Sequence, residues 1–89
     1  MTDDGVRVVL YGRAGCHLCD EAREVVAAVA ADAGARWIEI DVDAAAADDG
    51  GALQREYGEQ VPVVLVDGVQ RGFWRIDAGR VAAALGQRA

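Results

Sequence analysis

Cys16 and Cys19 are the two cysteines of this 89-residue chain, and they stand three apart in Cys16-His17-Leu18-Cys19. Two thiols at that spacing can close to a disulfide and reopen, or serve as two thiolate ligands of a metal. Which chemistry follows depends on the elements that hold them. Directly upstream lies an apolar run, Val6-Arg7-Val8-Val9-Leu10-Tyr11, then a tight linker, Gly12-Arg13-Ala14-Gly15, and a helical pattern begins at His17. A strand that turns sharply and delivers the pair to the first turn of a helix suits dithiol redox chemistry. The helix start offers unpaired backbone N–H groups and a positive dipole end, and both favour a thiolate. An unperturbed thiol is only about 3% thiolate at neutral pH, so that help matters to reactivity.

Metal binding is the rival. A closed zinc site wants four ligands, and the chain offers two cysteines and one histidine. His17 is too close in sequence to its neighbours to close a site easily. A dimer sharing four cysteines would hold zinc or an iron–sulfur cluster, and this dimeric metal- or cluster-binding module is the alternative function. His17 itself either lowers the Cys16 pKa when protonated or is a surface residue without a role. The aspartates at 41, 43, 48 and 49 lack the spacing and the distal Glu of a calcium loop, and read as a solvated acidic face.

The chain is long enough for one small domain, taken as residues 1–89. Its formal charge of −6 argues against nucleic acid and anionic membrane surfaces as partners. All nine basic residues are arginines, and Lys, Ser and Asn are absent, a skew that fits a GC-rich coding genome better than a structural need. Met1-Thr2-Asp3-Asp4-Gly5 has neither the basic nor the apolar region of a signal peptide, and no apolar stretch approaches a membrane span. The expected location is the cytosol, where closely spaced cysteines serve catalysis or metal binding before they serve as staples.

The elements follow from periodicity. Val6 to Tyr11 reads as a buried strand. Leu18, Ala22, Val25, Val26, Val29 and Ala33 recur at helical spacing, and Gly34 stops that helix. Ile38, Ile40 and Val42 alternate on one face of a second strand. Asp48-Asp49 predict a cap for a short helix reaching Tyr57, with Ala44 to Ala47 an extra turn or a loop. Val61 to Val66 is a third strand, Asp67-Gly68 a hairpin turn, and Val69 to Phe73 or Trp74 the fourth strand. Asp77 caps a last helix with Ile76, Val81, Ala84 and Leu85 apolar. The predicted fold is α/β, β-α-β-α-β-β-α, a four-stranded mixed sheet of order 2-1-3-4 flanked by three helices.

Over nearly its whole length the chain resembles the glutaredoxin-like branch of the thioredoxin superfamily. The resemblance rests on Tyr11-Gly12-Arg13-Ala14-Gly15-Cys16-His17-Leu18-Cys19, on Val61-Pro62 some forty residues later, on Asp67-Gly68, and more loosely on Gly72-Phe73 with Asp77. It implies that Cys16 is the exposed nucleophile and Cys19 the buried resolving thiol. It also implies a cis bond at Val61-Pro62 beside the sulfurs, with the Val61 backbone pairing to an incoming peptide or thiol. Tyr11, Arg13, His17 and Gly72 are the further expected substrate-binding positions, Arg13 standing where the family carries a cation.

The departures are His17 and Leu18 between the cysteines, Gln60 before Val61, and Arg71-Gly72 in place of a glycine pair. The implied activity is thiol–disulfide exchange on a disulfide-bearing protein or small-thiol mixed disulfide, by a monomer with no permanently bound cofactor. Glutathione, another low-molecular-weight thiol, or thioredoxin reductase is the expected electron donor.

Overall fold

The run Val6–Gly12 forms strand β1, the middle of the molecule, with Val8 and Leu10 completely removed from solvent. The computed structural model describes residues 5–86; the acidic start read above as no signal peptide lies at 1–4, outside them, as do 87–89. After β1 come helix α1 (His17–Ala33), strand β2 (Arg36–Asp41), helices α2 (Val42–Asp49) and α3 (Ala52–Tyr57), strands β3 (Val63–Val66) and β4 (Val69–Phe73), and helix α4 (Ala78–Gly86). The strands form one sheet in the predicted order, β2-β1-β3-β4. β1 is parallel to β2 and antiparallel to β3, and β4 returns antiparallel on β3.

One face of the sheet carries the main core. Val8, Leu10, Val64 and Val66 meet Ala22 and Val26 of α1 and Val81, Ala84 and Leu85 of α4. Each fully buried Val or Leu there contributes about 1.5–3 kcal/mol. Asp67 (φ 51°) and Gly68 (φ 84°) are both left-handed, as a two-residue hairpin turn matched to strand twist requires. Arg7 grips Asp67 with Nε and Nη2 at 3.0 and 2.7 Å and gives Nη1 to the Leu85 carbonyl at 3.1 Å, joining β1, the hairpin and α4.

The structure corrects the sequence reading in four places. Among the described residues there are four helices and not three. Gly50 and Gly51 are both left-handed (φ 67° and 87°), so one helix ends and another starts there. Two of the four aspartates read as a solvated face also bond to helix starts, while Asp43 and Asp48 are exposed: Asp41 accepts from the Asp43 and Ala44 N–H groups at 2.8 and 3.1 Å, and Asp49 accepts from Gly51, Ala52 and Leu53 at 2.8–3.3 Å. Val42 does not end β2 but opens α2, fully buried; on β2 it is Trp37 that packs on the main core, while Ile38 on the alternate face is 42% exposed. The buried stripe of α1 runs through Cys19, Ala22, Val26 and Ala30, leaving Leu18, Val25 and Val29 at its flanks and Ala33 exposed. Among the described residues no helix is long and apolar enough to cross a membrane.

Candidate functional site

β1 ends at Gly12, and the chain must reverse within four residues to start α1 on the sheet face; Gly15 (φ 76°) makes that turn. Cys16 then occupies the N-cap with extended backbone (φ −98°, ψ 112°). Its carbonyl accepts from the Asp20 N–H at 3.1 Å, and its Sγ accepts from the Cys19 N–H at 3.1 Å. A sulfur thus takes the position in which serine or aspartate oxygen usually caps a helix. The contact aims an orphan N–H of the first turn at Cys16, the arrangement that favours negative charge on that atom.

Cys16 and Cys19 are joined as a disulfide, their Cα atoms 5.1 Å apart. Cys16 is half-buried and Cys19 wholly buried, so solvent reaches the pair from the Cys16 side.

Gly12 is a part of this site that the sequence reading passed over. A Cβ on Gly12 would stand 3.1 Å from the Cys19 Sγ and 3.4 Å from its Cβ. The space for the inner sulfur is made by the missing side chain of the strand. Its one sequence signal was a glycine at the end of an otherwise bulky run. The same point lies 3.7 Å from Glu39 Oε2, and Glu39 is held by Arg23 through Nε–Oε1 and Nη2–Oε2 contacts of 2.7 and 2.8 Å. Arg23 also takes Asp20, at 2.9 Å. Two acidic side chains near the cysteine turn, Asp20 and Glu39, are therefore answered by a guanidinium, which limits their opposition to a thiolate.

The pairing of Tyr11 with Val63 places the residues just before β3 beside those just after Tyr11. Val61-Pro62, joined by a cis peptide bond, thus lies alongside the linker leading to Cys16. Pro62 is buried and Val61 half-buried.

Arg13 does not project freely. Its Nε and Nη2 each meet Asp43 at 3.0 Å, and its Nη1 donates to the Gly58 carbonyl at 3.1 Å. Those bonds, and one from Gln54, hold the Asp43 carboxyl below its ordinary range. Tyr11 stacks on Tyr57 of α3, ring centroids 4.7 Å apart and planes 15° from parallel. Desolvation, followed by the neighbouring Tyr57, raises the Tyr11 phenol above its usual value. His17, first residue of α1, is exposed. Gly72 lies within β4 opposite Val64, where an added Cβ would touch Ile76 Cδ1 at 3.5 Å, an ordinary contact. Of the residues singled out from sequence, the structure gathers Cys16, Cys19 and the Val61-Pro62 turn at one end of the sheet. It commits Arg13 and Tyr11 to contacts with α2 and α3. Among the described residues no group of three or more His, Cys, Asp or Glu is placed to hold a metal ion.

Residues 7–86 match the family described as Glutaredoxin-like domain (DUF836). Uncharacterized proteins of Mycobacterium tuberculosis and Mycobacterium bovis are 38% identical over 77 residues, covering 86% of this chain and 79% of theirs. The X-ray structure of protein XcR50 from X. campestris superposes with a TM-score of 0.68 at 36% identity, covering 89% of this chain and 95% of that one. The solution structure of Ne2328 from Nitrosomonas europaea gives 0.69 at 25% identity, over 93% and 94% of the two chains. Glutaredoxin C1 from a Populus tremula hybrid, crystallised in its holo form, shares the fold at 23% identity with a TM-score of 0.57, over 88% of this chain and 72% of its own.

Proposed function

Because the chain belongs to the glutaredoxin-like (DUF836) family, we propose that Cys16 and Cys19 are the redox couple of a thiol–disulfide oxidoreductase acting in a reducing cytosol. The observation that carries this reading is the Cys16 sulfur at the helix N-cap, accepting the Cys19 N–H. In the reduced protein the same N–H and the helix dipole favour negative charge on the Cys16 sulfur.

The Cys16 thiolate attacks one sulfur of a substrate disulfide; that S–S bond breaks, and the other substrate sulfur leaves as a thiolate that takes up a proton. Cys19, losing its proton, then attacks the Cys16 sulfur. The mixed disulfide breaks, the second substrate thiol departs, and Cys16–Cys19 is left oxidised. Two electrons from a small thiol or a thioredoxin reductase reset the pair, and no resident cofactor is needed. Val61 offers backbone groups beside the linker for an incoming chain. The engagement of Arg13 by Asp43 supports a weak response to glutathione, since the cation expected to meet its carboxylate is already occupied.

The experiment is disulfide reduction by single-cysteine variants. Cys16→Ser is expected to abolish turnover. Cys19→Ser is expected to form a mixed disulfide through Cys16 and to fail to resolve it on protein substrates. Alkylation of the reduced protein that labels Cys19 before Cys16 would reverse the assignment. Turnover coupled to glutathione and glutathione reductase should be weaker than with thioredoxin reductase or another small thiol at matched protein concentration.

A further inference from the structure

The arginines of this chain fall into two sets. Arg7, Arg13 and Arg23 are bound by carboxylates, Arg55 donates to the Gly50 carbonyl, and Arg36 is engaged as well. Arg71, Arg75 and Arg80 make no side-chain hydrogen bond or ion pair among the described residues. All three lie in the last stretch of sequence. Between Gly68 and Gly86 the one acid is Asp77, and its Oδ1 is already spent on the Arg80 backbone N–H at 3.1 Å. In a protein of charge −6 this stretch of sequence therefore holds three arginines against one carboxylate.

Two of these cations face one space. Val64 pairs with Gly72 but Leu65 pairs with Gln70, so Arg71 is the extra residue of a β-bulge. Bulges re-aim side chains and interrupt an edge. Arg71 and Arg80 line a single open groove of about 540 Å³, which reaches Phe73. Phe73 and Trp74 are 46% and 54% exposed and meet edge to face, centroids 5.3 Å apart. Trp74 is not a loose surface residue. It sits at φ 61°, where a bulky side chain is rare and persists only when its surroundings impose it. Its backbone N–H donates to the Pro62 carbonyl at 2.9 Å, and its indole N–H to the Glu59 carbonyl at 3.2 Å. Trp74 is thus fastened to the loop that carries the cis-proline, and Phe73 packs against it.

We propose that the groove of Arg71 and Arg80, with Phe73 in its lining and Trp74 packed on Phe73, docks the disulfide-bearing protein substrate, and that it takes a segment presenting carboxylates next to an apolar side chain. The inference rests on the redox reading above and adds the substrate class. Exposed aromatics held rigid beside arginines have the composition of interface hot spots. The groove reaches Phe73, whose ring packs on the Trp74 that is fastened to the cis-proline loop. The bulge and the charge at Arg71 oppose simple strand addition along β4, so the partner is read through side chains. Charge sets the sign of the preference: two unpaired guanidinium groups favour carboxylates and repel a basic segment.

The test compares two disulfide-bearing peptides of one sequence, differing only in Glu or Lys at the positions flanking a leucine. The unmodified protein is expected to reduce the Glu peptide about 2- to 10-fold faster at low salt, with the ratio shrinking as salt rises. R71E/R80E should bring that ratio to one or below, and R71Q/R80Q, which removes the charge without inverting it, should bring it near one. A ratio under about 2 for the unmodified protein, or a preference that survives both double variants, overturns the proposal. Two further measurements separate this from failure of the redox reading. Hydroxyethyl disulfide, neutral and too small to span the groove, reports the exchange chemistry of the unmodified protein. Anisotropy of a labelled, cysteine-free Glu peptide reports docking without exchange.

Discussion

The half of the molecule that carries the cysteines and the half from β4 to α4 are built on opposite principles. From β1 through α3 the charged groups around the site are largely paired. Arg13 holds Asp43, Arg23 holds Glu39 and Asp20, and Asp41 and Asp49 are bonded to backbone N–H groups. From β4 to α4 the surface is open, with Val69, Phe73 and Trp74 about half exposed and three arginines without a carboxylate. The first half is organised to hold two sulfurs in a fixed place. The second retains unspent apolar area and charge, the kind of surface on which partners are selected.

Two glycines, one in each half, give the sharpest test of that contrast. Gly12→Ala places a methyl group 3.1 Å from the Cys19 sulfur, so the sulfur or the helix must shift. The expected cost is about 1–3 kcal/mol in denaturant unfolding of the oxidised protein, together with slower resolution of mixed disulfides. Equal stability of this variant and the parent would show that the strand does not confine the inner sulfur.

Asp43→Asn comes next in size. It withdraws the carboxylate that occupies Arg13 while leaving the fold's other contacts in place. Turnover with glutathione, an anionic thiol, is expected to rise by about 2- to 5-fold, the scale of an exposed ion pair. A fall would mean that the pair positions the linker more than it occupies the cation. Acid should act in the same direction. The folded-state pKa of Asp43 is depressed, chiefly by Arg13 and then by Gln54. The stabilisation from this pair is present above the ordinary carboxylate range and is lost as pH falls through the lowered value. A carboxyl titration followed by NMR should therefore put Asp43 below an unperturbed aspartate, and Arg13→Gln should move it back up.

Gly72→Ala is the small-effect counterpart. The new methyl group would touch Ile76 at 3.5 Å, with no clash and no left-handed backbone to strain. Unfolding free energy should stay level or rise by up to about 0.5–1 kcal/mol, because alanine loses less chain entropy than glycine. A loss comparable to that of Gly12→Ala would erase the distinction between the two halves.

The elements and their order were largely legible in the chain. Val6 to Tyr11 is too apolar and too short to be anything but a central strand, Gly34 and Gly58 stop helices, and Asp67-Gly68 permits little besides a tight hairpin. Each is a local signal, decided by backbone conformation or by solvent, and so it can be read residue by residue. The cysteine pair at the helix start belongs with them, since a sulfur placed just before a helical run is also a local arrangement.

What the tertiary structure decided is where those local pieces spend their side chains. In an alanine-rich helix, hydrophobicity does not tell Ala30 from Ala33; burial of Cys19 against β1 sets the face, and Ala30 falls inside it. Asp41 and Asp49 are chemically the same as any solvated acid until a helix start comes within 3 Å of them or so. Arg13 reads as a free cation because Asp43 is thirty residues away in sequence, and only the docking of α2 and α3 brings the two together. The room that Gly12 leaves for a sulfur, and the pair of hydrogen bonds that fastens Trp74 to the cis-proline loop, are likewise contacts between distant segments. Local backbone preference determined which elements form; packing of remote surfaces determined which charges are spent and which remain for a partner.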